Sequence, residues 1–181
     1  FLSIDCGVPD GSTYTSDIGL YYVSDNEFID SGLNKQIDAA LKSIPKIYQT
    51  LRYFPDYKRN CYSLPVDQGT NYLVRAYFMH GNYDGVPASN AALSFDLYLG
   101  VDFWETIKLD NATHMYWTEF GSRANTTTMS VCLVKTTAAV PFISALELRP
   151  IAGHNLLYNN YTDLGSFTTF MRVDVGASAE L

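Results

Sequence analysis

Tyr83 and Asp84 stand in the run Gly81-Asn82-Tyr83-Asp84-Gly85, an aromatic ring and a carboxylate between glycines. An aromatic face offers apolar area that matches the C–H face of a pyranose, and a carboxylate accepts hydrogen bonds from hydroxyls. This pair is therefore a candidate saccharide site. The competing reading is conformational: Asn82, Asp84 and Gly85 tolerate turn geometry and make a hairpin turn, with Tyr83 folded back on the sheet. A second candidate is Tyr116-Trp117. Neighbours on a strand point to opposite faces, so at least one of these rings meets solvent or a partner.

Catalysis finds little support. His80, His114 and His154 lack metal-ligand spacing, and no Gly-x-Ser-x-Gly elbow, phosphate loop or Cys-His pairing occurs. No metal, cofactor or enzymatic activity is expected. Asp96 and Glu119 are the acids that would have to face each other across a cleft for glycoside hydrolysis. The plainer reading leaves both solvated on the polar face of a strand. Arg52 and Arg75 interrupt apolar and aromatic strand patterns, either to recognise a ligand or to make structural ion pairs and carbonyl contacts.

The charge balance narrows the partners. Twelve Lys and Arg against nineteen Asp and Glu give a net charge of −7, without the basic face that nucleic acid requires. No basic cluster seeks an anionic membrane, and no apolar run reaches the length of a span. No signal peptide is present, and Phe1 to Gly7 begins at once as a strand, as a processed N-terminus would. Three sequons, at Asn111, Asn125 and Asn160, point to the secretory route and must then lie at the surface. Cys6, Cys61 and Cys132 fit one disulfide plus a buried thiol, or three buried thiols. Their wide spacing excludes a zinc knuckle or a CxxC redox site.

These residues need elements to hold them, and the chain of 181 residues is long enough for one domain with its own core. Fourteen Tyr, ten Phe and two Trp favour strands. Leu93 to Gly100 alternates strictly, with Leu93, Phe95, Leu97 and Leu99 on one face, and Tyr72 to His80 is a run without a breaker. The centre of the chain thus reads as two strands joined by a polar loop with Tyr83 near its tip. Further strands are expected over 47–54, 60–64, 104–108, 114–120, 129–135 and 142–148, with 166–175 as a last one. Gly7 to Gly19 reads as loop. Leu33, Ile37, Ala40, Leu41 and Ile44 fall at helical spacing, between Gly32 and Pro45, and predict a short helix. Strands at this spacing, with turn chemistry between them, describe an antiparallel β-sandwich or barrel.

An ordered set of motifs carries a more specific reading. Ile4-Asp5-Cys6-Gly7, Tyr22-Val23-Ser24-Asp25, Phe28-Ile29-Asp30-Ser31-Gly32, Leu51-Arg52-Tyr53-Phe54-Pro55 and Arg59-Asn60-Cys61-Tyr62 are followed by Tyr72-Leu73-Val74-Arg75-Ala76 and Gly81-Asn82-Tyr83-Asp84-Gly85. Phe95 to Gly100, Trp104, Cys132-Leu133-Val134-Lys135-Thr136 and Pro141 to Arg149 complete the series. Together they resemble the malectin-like domain in the ectodomain of plant leucine-rich-repeat receptor kinases.

The resemblance implies an all-β antiparallel sandwich of jelly-roll type over residues 1–150, with 151–181 running toward a second such unit. It implies a non-catalytic recognition module at the extracellular face of the plasma membrane, in a parent protein with a membrane span and a cytoplasmic kinase. The expected ligand is a cell-wall saccharide or a protein; the alternative is an interaction and spacer unit without a sugar site. The family pattern places Cys61 and Cys132 in the sandwich body, and implies a bridge between them with Cys6 free.

Overall fold

The computed structural model describes residues 1–41, 43–85, 93–151 and 166–168. Period-two alternation becomes layers here. In β7 (Asn71–Phe78) the side chains of Val74, Ala76 and Phe78 point inward, and in β8 (Leu93–Leu99) those of Phe95, Leu97 and Leu99 do so; all six are buried. Two such rows need opposing layers, and Phe78 meets Phe95 edge-on across the core, with ring centroids 5.8 Å apart. β7 and β8 therefore lie in different sheets, which corrects the expectation of a hairpin. Alternation reveals which face of a strand is apolar, not which strand lies beside it.

A seven-stranded sheet runs in the order β14 (Ser166–Thr168), β10 (Tyr116–Arg123), β7, β13 (Ala145–Pro150), β1 (Leu2–Asp5), β3 (Tyr21–Ser24) and β2 (Thr13–Thr15). Four strands form a second sheet: β6 (Arg59–Pro65), β11 (Thr128–Val134), β8 and β9 (Asp102–Leu109). A third is short, with β12 (Phe142–Ile143), β5 (Thr50–Tyr53) and β4 (Leu33–Gln36). Pairing is antiparallel except between β1 and β3, so the all-β antiparallel sandwich holds with one parallel pair. Phe95 also meets Phe142 at 5.4 Å, so one aromatic core joins all three sheets. Each such fully buried ring or aliphatic side chain contributes about 1.5–3 kcal/mol of transfer free energy.

The helix expected from Leu33 to Ile44 is absent. Its first residues form β4, and a single 3-10 turn over Ala39–Leu41 comes after them. Of the five apolar positions only Ile37 is buried, and its N–H donates to Gln49 O at 3.1 Å, so the sheet takes the hydrogen bonds a helix would need. A second 3-10 turn, Lys46–Tyr48, shortens the strand expected from Ile47. The supposed loop from Gly7 to Gly19 contains β2, a polar edge strand too short to show a period.

The run 142–148 is one strand in sequence and two in space. Ser144 breaks it: its N–H donates to Tyr77 O and its carbonyl accepts from Cys6 N–H, both at 2.8 Å, while its hydroxyl accepts from Met79 N–H. β12 thus belongs to the three-stranded sheet and β13 to the seven-stranded one. Gly7 brings β5 close at the same corner. Its φ is +99°, and a Cβ there would lie 2.2 Å from Leu51 O. Cys61 and Cys132 stand directly opposite each other in the β6–β11 register and are joined in a disulfide, while Cys6 is a buried free thiol.

Candidate functional site

The 81–85 loop is a tight turn with its aromatic ring turned inward. Gly81 (φ +59°), Asn82 (φ +52°) and Gly85 (φ +71°) take left-handed conformations, and a Cβ on Gly81 would lie 2.2 Å from Ile37 Cγ2. Tyr83 is half-buried. Its ring lies 4.6 Å from His80, 5.1 Å from Tyr53 and 6.2 Å from Phe142, centroid to centroid. Burial raises its hydroxyl pKa, with the charge of Asp84 adding to the rise. Asp84 reaches out, its side chain 41% exposed, and its Oδ2 lies 3.6 Å from His80 Nε2. His80 is itself buried, which lowers its pKa against the opposing pull of Asp84. Of the two readings of the loop, the turn with a packed tyrosine describes the geometry.

Tyr116 and Trp117 diverge as the period of two requires. Tyr116 is half-buried and its hydroxyl donates to Glu105 Oε1. Trp117 points outward, 45% exposed, with the Arg75 guanidinium 4.7 Å from its ring centroid. Gly81 N–H donates to Ala112 O at 2.7 Å, which sets the loop beside the turn that carries Asn111. The ring contacts described for Tyr83 run to Tyr53, His80 and Phe142, and not to Tyr116 or Trp117. Asn111 and Asn125 are exposed; Asn160 lies outside the described residues.

Both arginines in the strand patterns hold buried acids. Arg52 Nε and Nη2 donate to Asp25 at 2.6 and 2.8 Å, and its Nη1 donates to Ser31 O at 3.1 Å. Arg75 pairs with Glu119 at 2.6 Å and donates to the Tyr77 hydroxyl at 3.1 Å. Glu119 stands on the outer side of the seven-stranded sheet, since its neighbours Thr118 and Phe120 face Trp104. Asp96 alternates with buried Phe95 and Leu97 on the other sheet and accepts the Thr106 hydroxyl. The two acids look away from each other, so the carboxylate pair for glycoside hydrolysis does not form. Among the described residues no group of three or more His, Cys, Asp or Glu is arranged to hold a metal ion.

The outer face of the seven-stranded sheet carries a buried polar network that pattern reading missed. Tyr22 and Tyr77 both donate to Glu147 Oε1, at 2.5 and 3.0 Å, and Arg149 pairs with Oε2 of the same residue. Burial and the Glu147 charge push the Tyr77 hydroxyl up to about 12. Further along, Asp5 is fully buried without an arginine. Tyr14 donates to its Oδ2 at 2.6 Å and Thr50 to its Oδ1 at 2.8 Å. Burial raises its pKa from 3.8 to about 6. The missing signal was the register: which acid meets which arginine depends on strand neighbours that the sequence does not state.

Comparison with known proteins places this geometry. A family model described as the malectin-like domain matches residues 4–181. The chain is 42% identical over 177 residues to a probable LRR receptor-like serine/threonine-protein kinase, PAM74, of Arabidopsis thaliana. That match covers 96% of this chain and 19% of the relative, so the chain spans about a fifth of its length. Among solved structures, the ANX1 ectodomain from Arabidopsis thaliana aligns with a TM-score of 0.69 at 18% identity, over 84% of this chain and 42% of that one. The complex of the plant peptide RALF23 with FER and LLG2 contains a chain that aligns with a TM-score of 0.62 at 19% identity, over 83% of this chain and 39% of its own.

Proposed function

This chain belongs to the malectin-like domain family, and from that premise we propose that it is a non-catalytic recognition unit in the extracellular part of a plant receptor kinase and that its ligand is a protein or peptide. Residues 1–150 make up the body of the unit, the strand at 166–168 still pairs with its β10, and the chain beyond leads toward a second unit. The ANX1 ectodomain, of which this chain covers 42%, is long enough for a second such unit. The parent continues into leucine-rich repeats, a membrane span and a cytoplasmic kinase, in keeping with the name of its 42% identical relative. Asn111 and Asn125 carry glycans, in keeping with their exposure.

The observation that carries the choice of ligand is the Tyr83 ring. It makes tilted contacts with His80, Tyr53 and Phe142, which hold it against the core instead of extending it from the loop that is richest in sugar-binding residue types. A structural neighbour is seen with a peptide, which supports the same reading. The saccharide reading keeps one specific observation, the exposed Trp117 ring. Calorimetric titration of cell-wall oligosaccharides into the chain decides between them. No heat of binding is expected. Saturable heat that disappears in Trp117→Ala would overturn the proposal in favour of a sugar site on β10; loss in Tyr83→Ala instead would return the site to the loop.

A further inference from the structure

β4 is the rim of the three-stranded sheet, and among the described residues no strand lies on its outer side. All four of its residues are exposed, Leu33 to 53%. The direction of its main-chain groups follows from one hydrogen bond. Ile37 N–H donates to Gln49 O at 3.1 Å. That contact continues the register in which Lys35 faces Leu51 and Leu33 faces Tyr53. Hydrogen-bonded and non-hydrogen-bonded pairs alternate along an antiparallel ladder. Leu33 and Lys35 therefore turn their N–H and C=O groups toward β5, and Asn34 and Gln36 turn theirs away. The far side of β5 agrees: Phe54 N–H donates to Pro141 O at 2.9 Å, so by the same alternation Arg52, opposite Asn34, turns its main-chain groups toward Ile143 of β12.

The outward row is already used one step further along. Asp38 N–H donates to Gly81 O at 2.7 Å, so the 81–85 turn takes up the outward N–H of Asp38. Among the described residues no main-chain hydrogen bond reaches the outward groups of Gln36 and Asn34, both exposed residues. Sheet edges are ordinarily blunted by proline, bulges, charges or a covering segment. β4 is only four residues long and carries one lysine, which limits indiscriminate pairing, and it has no proline or covering strand among the described residues to forbid it.

We propose that the outer edge of β4 is a strand-addition site that receives an extended peptide segment of a protein ligand. This rests on the peptide reading above and names the place where it acts. Main-chain hydrogen bonds from Asn34 and Gln36 supply the affinity, and side chains at alternate positions supply the choice of sequence. Leu33 and Lys35 share one face of β4. The fitting segment has an apolar residue beside Leu33 and an acidic or neutral one beside Lys35, since like charges side by side on a sheet repel. A second copy of this chain fits poorly: two antiparallel β4 strands centred on residue 35 would oppose their lysines, and each chain carries a net charge of −7.

A random peptide library displayed on phage, panned on the whole chain, tests this. Gln36→Pro deletes the outward N–H and leaves the β5 ladder intact, because proline is accepted on an edge strand where its nitrogen faces solvent. The enriched peptides should lose at least about tenfold in affinity for Gln36→Pro, the worth of roughly one to two hydrogen bonds. Methylation of alternate peptide amides should abolish their binding. Lys35→Glu leaves the backbone alone and should shift the enriched sequences from acidic to basic beside that position. Peptides that bind Gln36→Pro as tightly as the unaltered chain, with a consensus unmoved by Lys35→Glu, would sink the edge site. If their binding is lost in Trp117→Ala instead, peptide recognition stands and this location fails. Failure to enrich any peptide overturns both.

Discussion

The four-stranded and three-stranded sheets share one core but are held by different forces. Strands of seven and eight residues build the first, and Tyr62, Leu64, Phe95, Leu97, Ile107, Val131 and Leu133 give it a continuous buried row. A disulfide between its two neighbouring strands β6 and β11 adds a covalent brace. The three-stranded sheet has strands of four, four and two residues, and its fully buried apolar side chains are fewer: Leu51, Phe142 and Ile143. It is fastened through β5, where Arg52 grips Asp25 and Thr50 donates to Asp5, acids that come from outside the sheet. Where the apolar row runs short, buried charge replaces it, and the region becomes sensitive to substitution and to protons in a way the larger sheet is not.

The sharpest way to break this contrast is Arg52→Ala, which leaves Asp25 buried without its cation. Removal of one partner of a buried pair costs about 3–5 kcal/mol, and urea denaturation should show it. A loss under about 1 kcal/mol would mean that β5 is held by its apolar contacts after all. Next comes the larger sheet's own brace. Replacement of Cys61 and Cys132 by alanine opens a link across 71 residues and should cost about 4 kcal/mol in the chain-entropy model, less any native-state strain.

The third test is pH. Asp5 binds its proton more tightly in the fold, at about 6, than at its ordinary 3.8, mainly because it is buried, with Asp25 adding to the rise. The hydroxyls of Tyr14 and Thr50 and the charge of Lys46 oppose that rise. Its contribution to stability is complete below about pH 3.8 and is lost as pH climbs through about 6. Between pH 4 and 7 the chain should lose about 2 kcal/mol from this group. Asp5→Asn should flatten that part of the profile, and an unchanged slope would acquit Asp5. The smallest effect is expected at the open rim: Lys35→Ala, exposed on β4, should change stability by less than about 0.5 kcal/mol.

Parts of this could be read from residues alone. β7 and β8 were legible because their apolar rows are long and unbroken, and adjacency showed that one of Tyr116 and Trp117 must point outward, though not which. The pairing of β7 with β10 and β13 was not, so the meeting of Arg75 with Glu119 stayed hidden. Leu33 to Ile44 misled for a physical reason: helical spacing by coincidence, in a segment whose backbone is claimed by β5. Tyr83 shows the limit for sites. The residue types of a sugar platform and of a packed turn are the same, and only the neighbours of the ring separate them.

Ser144 makes the three-stranded and seven-stranded sheets one mechanical train. β4 is tied to β5 by hydrogen bonds, β5 to β12 likewise, and from Ile143 to Ala145 the load path is covalent. A tug on the β4 rim is therefore delivered in part through this peptide segment, along the length of β13 and so onto the β1 and β7 ladders on either side of it, beside the side-chain ties of β5 to Asp25 and Asp5. Pull along a strand loads its hydrogen bonds in parallel rather than one at a time. The rim can yield locally while the sheet behind it stands as the anchor.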